Sequence, residues 1–181
     1  MHTGRVWQRQ AKHCPLCAAP LARAEVEGRE RIRCERCAFV LYENPSCAAA
    51  GMVIDPDGRV LLVRRAIEPF RGFWALPAGY QEVDEAPALT AVREVFEESG
   101  IEVEVIELID LVFVPTHAVK PANLAVYLCR PIGGILRRGE DTLEAAWFHP
   151  NHLPEDLGFE NGPHIKRWLG RHRGQPDRPG A

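Results

Sequence analysis

No stretch of this chain approaches the roughly 18 consecutive apolar residues that a membrane-crossing helix needs. Cationic excess is missing too: 22 lysines and arginines stand against 25 aspartates and glutamates, for a formal net charge of −3. Counterion release onto nucleic acid and attraction to anionic lipid both need that excess, so neither a membrane nor a stable nucleic-acid partner is expected. Any nucleotide must be held by local contacts. The opening MHTGRVWQRQAKH lacks the apolar centre of a secretory signal, which leads us to expect a cytoplasmic protein. Cysteine is sparse at six residues, and four of them stand in two CxxC pairs. Such pairs suit a metal better than a disulfide framework. Cys47 and Cys129, left over, read as small buried hydrophobes.

What the chain does contain, 46% hydrophobic and 26% charged residues, suits one sizeable domain with a small appendage. Cys14-Pro-Leu-Cys17 and Cys34-Glu-Arg-Cys37 mark the appendage, and their separation reads as a four-thiolate zinc site. Ala22 to Val26 and Glu30 to Arg33 flank Gly28, so a hairpin should bring the two knuckles together. About 35 residues cannot bury enough apolar surface alone, so zinc would supply folding free energy. Four sulfurs close the shell, which makes the role structural rather than catalytic. His13 reads as a bystander. Residues 1–12 read as a tail, 13–44 as a zinc ribbon, 45–171 as the main domain after the Asn44-Pro45 turn, and 172–181 as a disordered tail.

In the main domain, Cys47 to Ile54 and Arg59 to Arg64 are strand-like runs split by the hairpin turn Asp55-Pro-Asp-Gly58. Val103 to Pro115, Ala122 to Arg130 and Glu144 to Phe148 are expected as further strands, with Gly133-Gly134 and Gly139 loosening the connection before the last. His164 to Arg171 is expected as a terminal helix. Trp74 reads as a core residue. Arg64 and Arg65 place cations at a strand end where phosphate could meet them, and the loop carrying His117 and Lys120 could form a pocket rim.

The chain is organised around Gly79 to Ile101, GYQEVDEAPALTAVREVFEESGI. A helix should begin between Asp84 and Pro87, since proline is tolerated in a first turn, and end at Gly100. On a helical wheel Leu89, Val92 and Phe96 make an apolar stripe, with Glu94, Glu97 and Glu98 gathered opposite. These acids repel, and Arg93 offsets only part of the repulsion. Hard divalent cations are the natural complement: oxygen-only ligands favour magnesium or manganese. The plainer alternative is a solvated acidic helix face.

Spacing decides between them. Gly79, Glu85, Arg93-Glu94-Val95, Glu97-Glu98 and Gly100-Ile101 resemble the Nudix box at each defined position, although Asp84 stands where many members of that family have glycine. The resemblance implies an α/β/α sandwich with a mixed sheet and metal-dependent hydrolysis of a nucleoside diphosphate linked to another group. It further implies magnesium or manganese held by Glu94, Glu97, Glu98 and the Ala78 carbonyl, and Arg93 and Glu85 as braces. One of Glu97, Glu98 and Glu144 takes the proton of water, while Tyr80 and Glu82 face substrate or metal, with Arg65 as a further substrate contact. A zinc ribbon joined to such a domain resembles the NADH-pyrophosphatase and ADP-ribose/FAD-pyrophosphatase branches, for which a homodimer is implied. NADH-cleaving relatives carry Ser-Gln-Pro-Trp-Pro-Phe-Pro after the box; this chain has Val112-Phe-Val-Pro-Thr-His-Ala there, so ADP-ribose or FAD is the expected substrate. A catalytically silent ADP-ribose sensor and a zinc-ribbon adaptor are the alternatives from other classes.

Overall fold

The Asp55-Pro-Asp-Gly58 turn shows how closely this backbone follows its sequence. In the computed structural model, which describes residues 10–115, 121–159 and 161–172, Asp55 Oδ1 accepts the amides of Asp57 (3.0 Å) and Arg59 (2.8 Å). Gly58 supplies the left-handed φ of +73° that closes the turn. The strands it joins, here β4 (Ser46–Val53) and β5 (Val60–Arg65), are the centre of the larger of two compact units.

That unit is formed by Cys47–Phe113 with Asn123–Ala181, and the other by Met1–Ser46 with Val114–Ala122, in each case as far as the residues are described. The smaller unit holds β1 (Leu21–Val26), β2 (Arg29–Cys34) and β3 (Val40–Leu41) in one sheet of that order. β1 and β2 pair from Leu21↔Cys34 to Val26↔Arg29. Glu27 and Gly28, at φ +54° and +72°, form the two-residue turn between them.

In the larger unit, one sheet runs β10 (Thr142–Phe148), β5, β6 (Trp74–Ala75). A second runs β7 (Ala78–Tyr80), β4, β9 (Ala122–Gly134), β8 (Ile101–Val114). The strand period of two sends successive residues to opposite faces. Ala50 and Met52 of β4, with Val60 and Leu62 of β5, join a core that includes Trp74, Leu76 and the helix residues Ile165 and Trp168. Val53 and Leu61 join a second core with Val95, and Ala49 packs with Ala91. The first core is covered by α2 (Asn161–His172), the second by α1 (Pro87–Ser99). The result is helix, sheets, helix, an α/β/α sandwich.

Helix α1 begins with proline in its first turn and ends at Gly100, whose amide donates to the Phe96 carbonyl at 2.8 Å. Its buried face is not the expected one. Leu89 is 60% and Phe96 42% exposed, while Thr90, Ala91, Val95 and Ser99 are buried. Close approach to β4 is the reason: a Cβ on Gly51 would overlap Val95 Cγ2, so the contacting face needs small residues and the bulky ones turn away. Glu94 and Glu98, three and seven residues after Ala91, share its side of the helix. They therefore border the buried face instead of standing opposite it.

Gly51→Ala should therefore cost about 1–3 kcal/mol, as overpacking does. Val95→Ala in the same chain should recover part of the loss. Denaturant midpoints of the two single variants and the double variant measure this; additive losses would contradict the contact.

β9 runs through Gly133 and Gly134, where a loosened connection was expected. Gly134, at φ +87°, lies so close to Gly100 that a Cβ would strike its carbonyl. The first strand after the box starts at Ile101, two residues early, and the terminal helix at Asn161, three early.

Candidate active site

Helix α1 and the β9–β10 connection together line an open cleft of about 760 Å³. Glu94, Phe96, Glu97 and Glu98 come from the helix, and Arg137 through Asp141 from the connection. The connection is fastened to the end of the helix. Carbonyls in the last turn lack intrahelical partners, and here the Ser99 carbonyl accepts Arg137 N–H (2.9 Å), while the Glu98 carbonyl accepts Gly139 N–H (3.1 Å) and the Thr142 hydroxyl (3.2 Å). Gly139 is pressed so tightly on the helix that a Cβ would collide with the Glu97 carbonyl. Glu140 and Asp141 are thereby held beside the helix acids.

Behind the helix, β7 makes two contacts that place carboxylates. A Cβ on Gly79 would overlap the Glu94 carboxylate, so glycine there lets Glu94 lie against the strand backbone. Ala78 N–H donates to Glu98 Oε2 at 3.1 Å. Arg93 organises the remaining acids. Its Nη1 donates to Glu94 Oε1 (2.7 Å) and Glu97 Oε2 (3.0 Å), its Nη2 to Glu85 Oε1 (2.6 Å) and the Tyr80 carbonyl (3.1 Å). Glu85 also accepts the Thr90 hydroxyl and the Glu82 amide, both at 3.0 Å.

These environments separate the acids. Hydrogen bonds from Arg93, then from the Glu82 amide, draw the Glu85 carboxyl down to about 2. Burial pushes Glu98 up to about 8, with Glu94 and Asp141 adding to the rise while the Ala78 amide and Arg65 oppose it. Burial also raises Glu94, against the pull of Arg93. Glu97, by contrast, is 55% exposed. Two carboxylates are thus set where ionisation is costly, inside a cleft lined by further acids. Carboxylates in that position fit a hard cation.

The family model of the NUDIX domain matches residues 45–169. The chain belongs to the NUDIX family. It is 35% identical over 138 residues to a MutT-like protein of Streptomyces ambofaciens, covering 70% of this chain and 86% of that protein. It is also 35% identical over 132 residues to an ADP-ribose pyrophosphatase of Methanocaldococcus jannaschii, covering 72% and 77%. A Nudix hydrolase structure from Nitrosomonas europaea superposes with a TM-score of 0.81 at 30% identity, covering 92% of this chain and 95% of that one. The protein is a Nudix hydrolase with the Nudix fold.

Of the residues singled out in the hydrolase sequence, Glu85, Arg93, Glu94 and Glu97 join one hydrogen-bonded network, with Glu98 against Ala78. Tyr80 and Glu82 are exposed on the approach to the helix. Arg65 is half-buried; burial lowers its pKa, while Glu98 and Asp141 are among the groups that favour its charge. Glu144 is not brought to the cleft: it pairs in register with Arg64, and its carboxylate lies 3.9 Å from that guanidinium. The acids beyond the box that do line the cleft are Glu140 and Asp141. Neither stands out in the sequence, where Gly139 reads as a loosening of the connection; in the structure it is a point of close approach. His117 and Lys120 lie outside the described residues.

In the smaller unit, the four CxxC sulfurs all lie within 4.8 Å of one another. The Cys14–Cys37 and Cys17–Cys34 pairs are 3.5 and 3.6 Å apart, far beyond a disulfide bond. A tetrahedral ion with Zn–S bonds near 2.3 Å sets its sulfurs roughly 3.8 Å apart, so the cluster is compatible with zinc. Ala18 and Ala38, each following the second cysteine of its pair, share left-handed φ values of +58° and +57°. The two knuckles are built alike.

Proposed function

We propose that this Nudix hydrolase splits the pyrophosphate bond of a nucleoside diphosphate joined to another group, ADP-ribose or FAD in preference to NADH, and releases AMP. The observation that carries the reading is the pair Glu94 and Glu98, acids whose burial opposes ionisation in a cleft lined by Glu97, Glu140 and Asp141. We assign magnesium or manganese to Glu94, Glu97, Glu98 and the Ala78 carbonyl. Bound there, the metal would neutralise phosphate charge and lower the pKa of the attacking water. The water oxygen bonds to phosphorus as the bridging P–O bond breaks, and its proton passes to a cleft carboxylate. Glu97 and Glu98 remain the acceptors from the box, and Asp141, which lines the cleft, takes the place of Glu144. Arg93 and Glu85 hold the carboxylates in position, and Arg65, Tyr80 and Glu82 border the substrate.

We further assign one structural zinc to Cys14, Cys17, Cys34 and Cys37, and expect a homodimer, as the family resemblance implies, located in the cytoplasm, as the opening residues and the paired cysteines suggest. The preference for ADP-ribose is supported by the name of the Methanocaldococcus relative and by Val112-Phe-Val-Pro-Thr-His-Ala in place of the NADH signature. Selectivity is a ratio of kcat/KM values, so the test is parallel kinetics on ADP-ribose, FAD and NADH with AMP release as the common signal. ADP-ribose or FAD should lead. An NADH value about tenfold above both would restore the NADH-pyrophosphatase assignment.

A further inference from the structure

Outside the three packed cores, the β5–β6 connection and the approach to α2 bring three phenylalanines together. Phe70 meets Phe159 edge to face with centroids 4.7 Å apart at 62°, and Phe73 at 5.8 Å and 69°. The rings are only partly covered, with Phe70 41% and Phe73 40% exposed. Phe70 and Phe159 both hold left-handed φ values, +62° and +54°. Bulky residues keep that conformation only where the surroundings impose it, and such positions gather at functional sites.

Those surroundings are visible. Arg65 Nε donates to the Pro69 carbonyl and Arg64 Nε to the Gly72 carbonyl, both at 2.8 Å. Gly158 N–H donates to the Trp74 carbonyl at 2.8 Å, and a Cβ on Gly158 would crowd Phe70 Cβ at 3.2 Å. Two loops are thus clamped to display rings instead of burying them. Arg65 links the display to the hydrolytic cleft. Its guanidinium carbon stands 5.0 Å from the Phe159 centroid, Thr142 pairs with Arg65 in register, and the next residue, Ala66, donates its amide to the Asp141 carbonyl at 2.9 Å. A phosphate drawn to Arg65 would lie beside the Phe159 ring, on the strand that pairs with the segment following Asp141.

We infer that Phe70, Phe73 and Phe159 form the subsite for the planar ring of the nucleotide, stacked beside Arg65. The inference rests on the nucleotide-hydrolase reading and adds which residues recognise the ring end. Base–aromatic stacking tolerates different rings, so this subsite should require a ring without choosing its identity.

The test is calorimetric titration with AMP and with ribose 5-phosphate, alongside ADP-ribose kinetics, for the full chain and for Phe70→Leu and Phe70→Tyr. Leucine keeps apolar volume and removes the ring; tyrosine keeps the ring. In Phe70→Leu the KM for ADP-ribose and the Kd for AMP should rise roughly tenfold. Its kcat and its ribose 5-phosphate affinity should hold, and Phe70→Tyr should behave as the parent. Should Phe70→Leu fail to fold, Phe73→Leu carries the same comparison. A parent that binds AMP no better than ribose 5-phosphate overturns the inference, as does a leucine variant that loses both ligands equally or neither. Absence of ADP-ribose turnover in the parent would defeat the ADP-ribose assignment alone, and the AMP titration would still decide the subsite.

Discussion

Glu98→Gln is expected to lower turnover at saturating magnesium by at least ~100-fold, and in metal-free protein at pH 8 to raise the melting temperature. Both effects come from one buried carboxyl. In the folded chain burial lifts its pKa from the usual 4.5 to about 8, while unfolding returns it to the ordinary value. Between those two pH values the folded state binds more protons than the unfolded state, so stability falls as pH rises through that window. Glutamine cannot ionise, and its carbonyl can still accept the Ala78 amide. The variant should match the parent near pH 4 and exceed it at pH 8, as read by melting curves with chelator present. A parent more stable than the variant at pH 8 would remove the burial argument, and unchanged turnover would remove Glu98 from the site. Exposed Glu97, changed to glutamine, should lose turnover without the gain in stability. Glu107→Gln, on exposed β8 surface, should do neither.

The same carboxyl shows what could be seen in the sequence and what could not. Local chemistry was legible wherever a few adjacent residues settle the backbone: the Asp55 turn, the Gly28 hairpin, proline at the start of α1 and glycine at its end. The box spacing located Glu94, Glu97 and Glu98. Which side of α1 is buried was not legible, because hydrophobicity favours Leu89 and Phe96, whereas the packing is set by Gly51 on another strand, some forty residues earlier. From Leu89 to Phe96 the apolar residues look like a core stripe, yet a strand lying close enough to touch Val95 admits only small side chains at the contact. Asp141 was hidden for a related reason. Its place depends on three hydrogen bonds to carbonyls of Glu98 and Ser99, two from the main-chain amides of Arg137 and Gly139 and one from the Thr142 hydroxyl, and all three join residues far apart in the chain. Glu144, chosen as the acid beyond the box, occupies a strand position whose register gives it Arg64 as partner.

In the smaller unit, Cys34→Ser is expected to reduce zinc content from one ion per chain to well below that, and to unfold the unit. Among its described residues the buried apolar groups are Cys14, Cys34 and Ala122. Sulfur stands where larger proteins place leucine and valine. With so little apolar burial, the proposed zinc would have to supply the cohesion, and structural zinc contributes on the order of 10 kcal/mol in small zinc-dependent folds. Cys34 is the sensitive position because its backbone surroundings already favour thiolate. Amides of Arg36 and Cys37 donate to its sulfur at 3.3 and 3.4 Å and draw its pKa down to about 6. A serine hydroxyl stays protonated at neutral pH and is a poor zinc ligand, so the shell drops to three thiolates. Zinc should be lost before turnover is lost, because a closed sulfur shell has no position for a reacting group. Elemental analysis of the purified variant, with amide hydrogen exchange across residues 14–41, reads both consequences. Full zinc occupancy in Cys34→Ser, or protected amides in the zinc-free chain, would mean that the four cysteines do not hold this unit together.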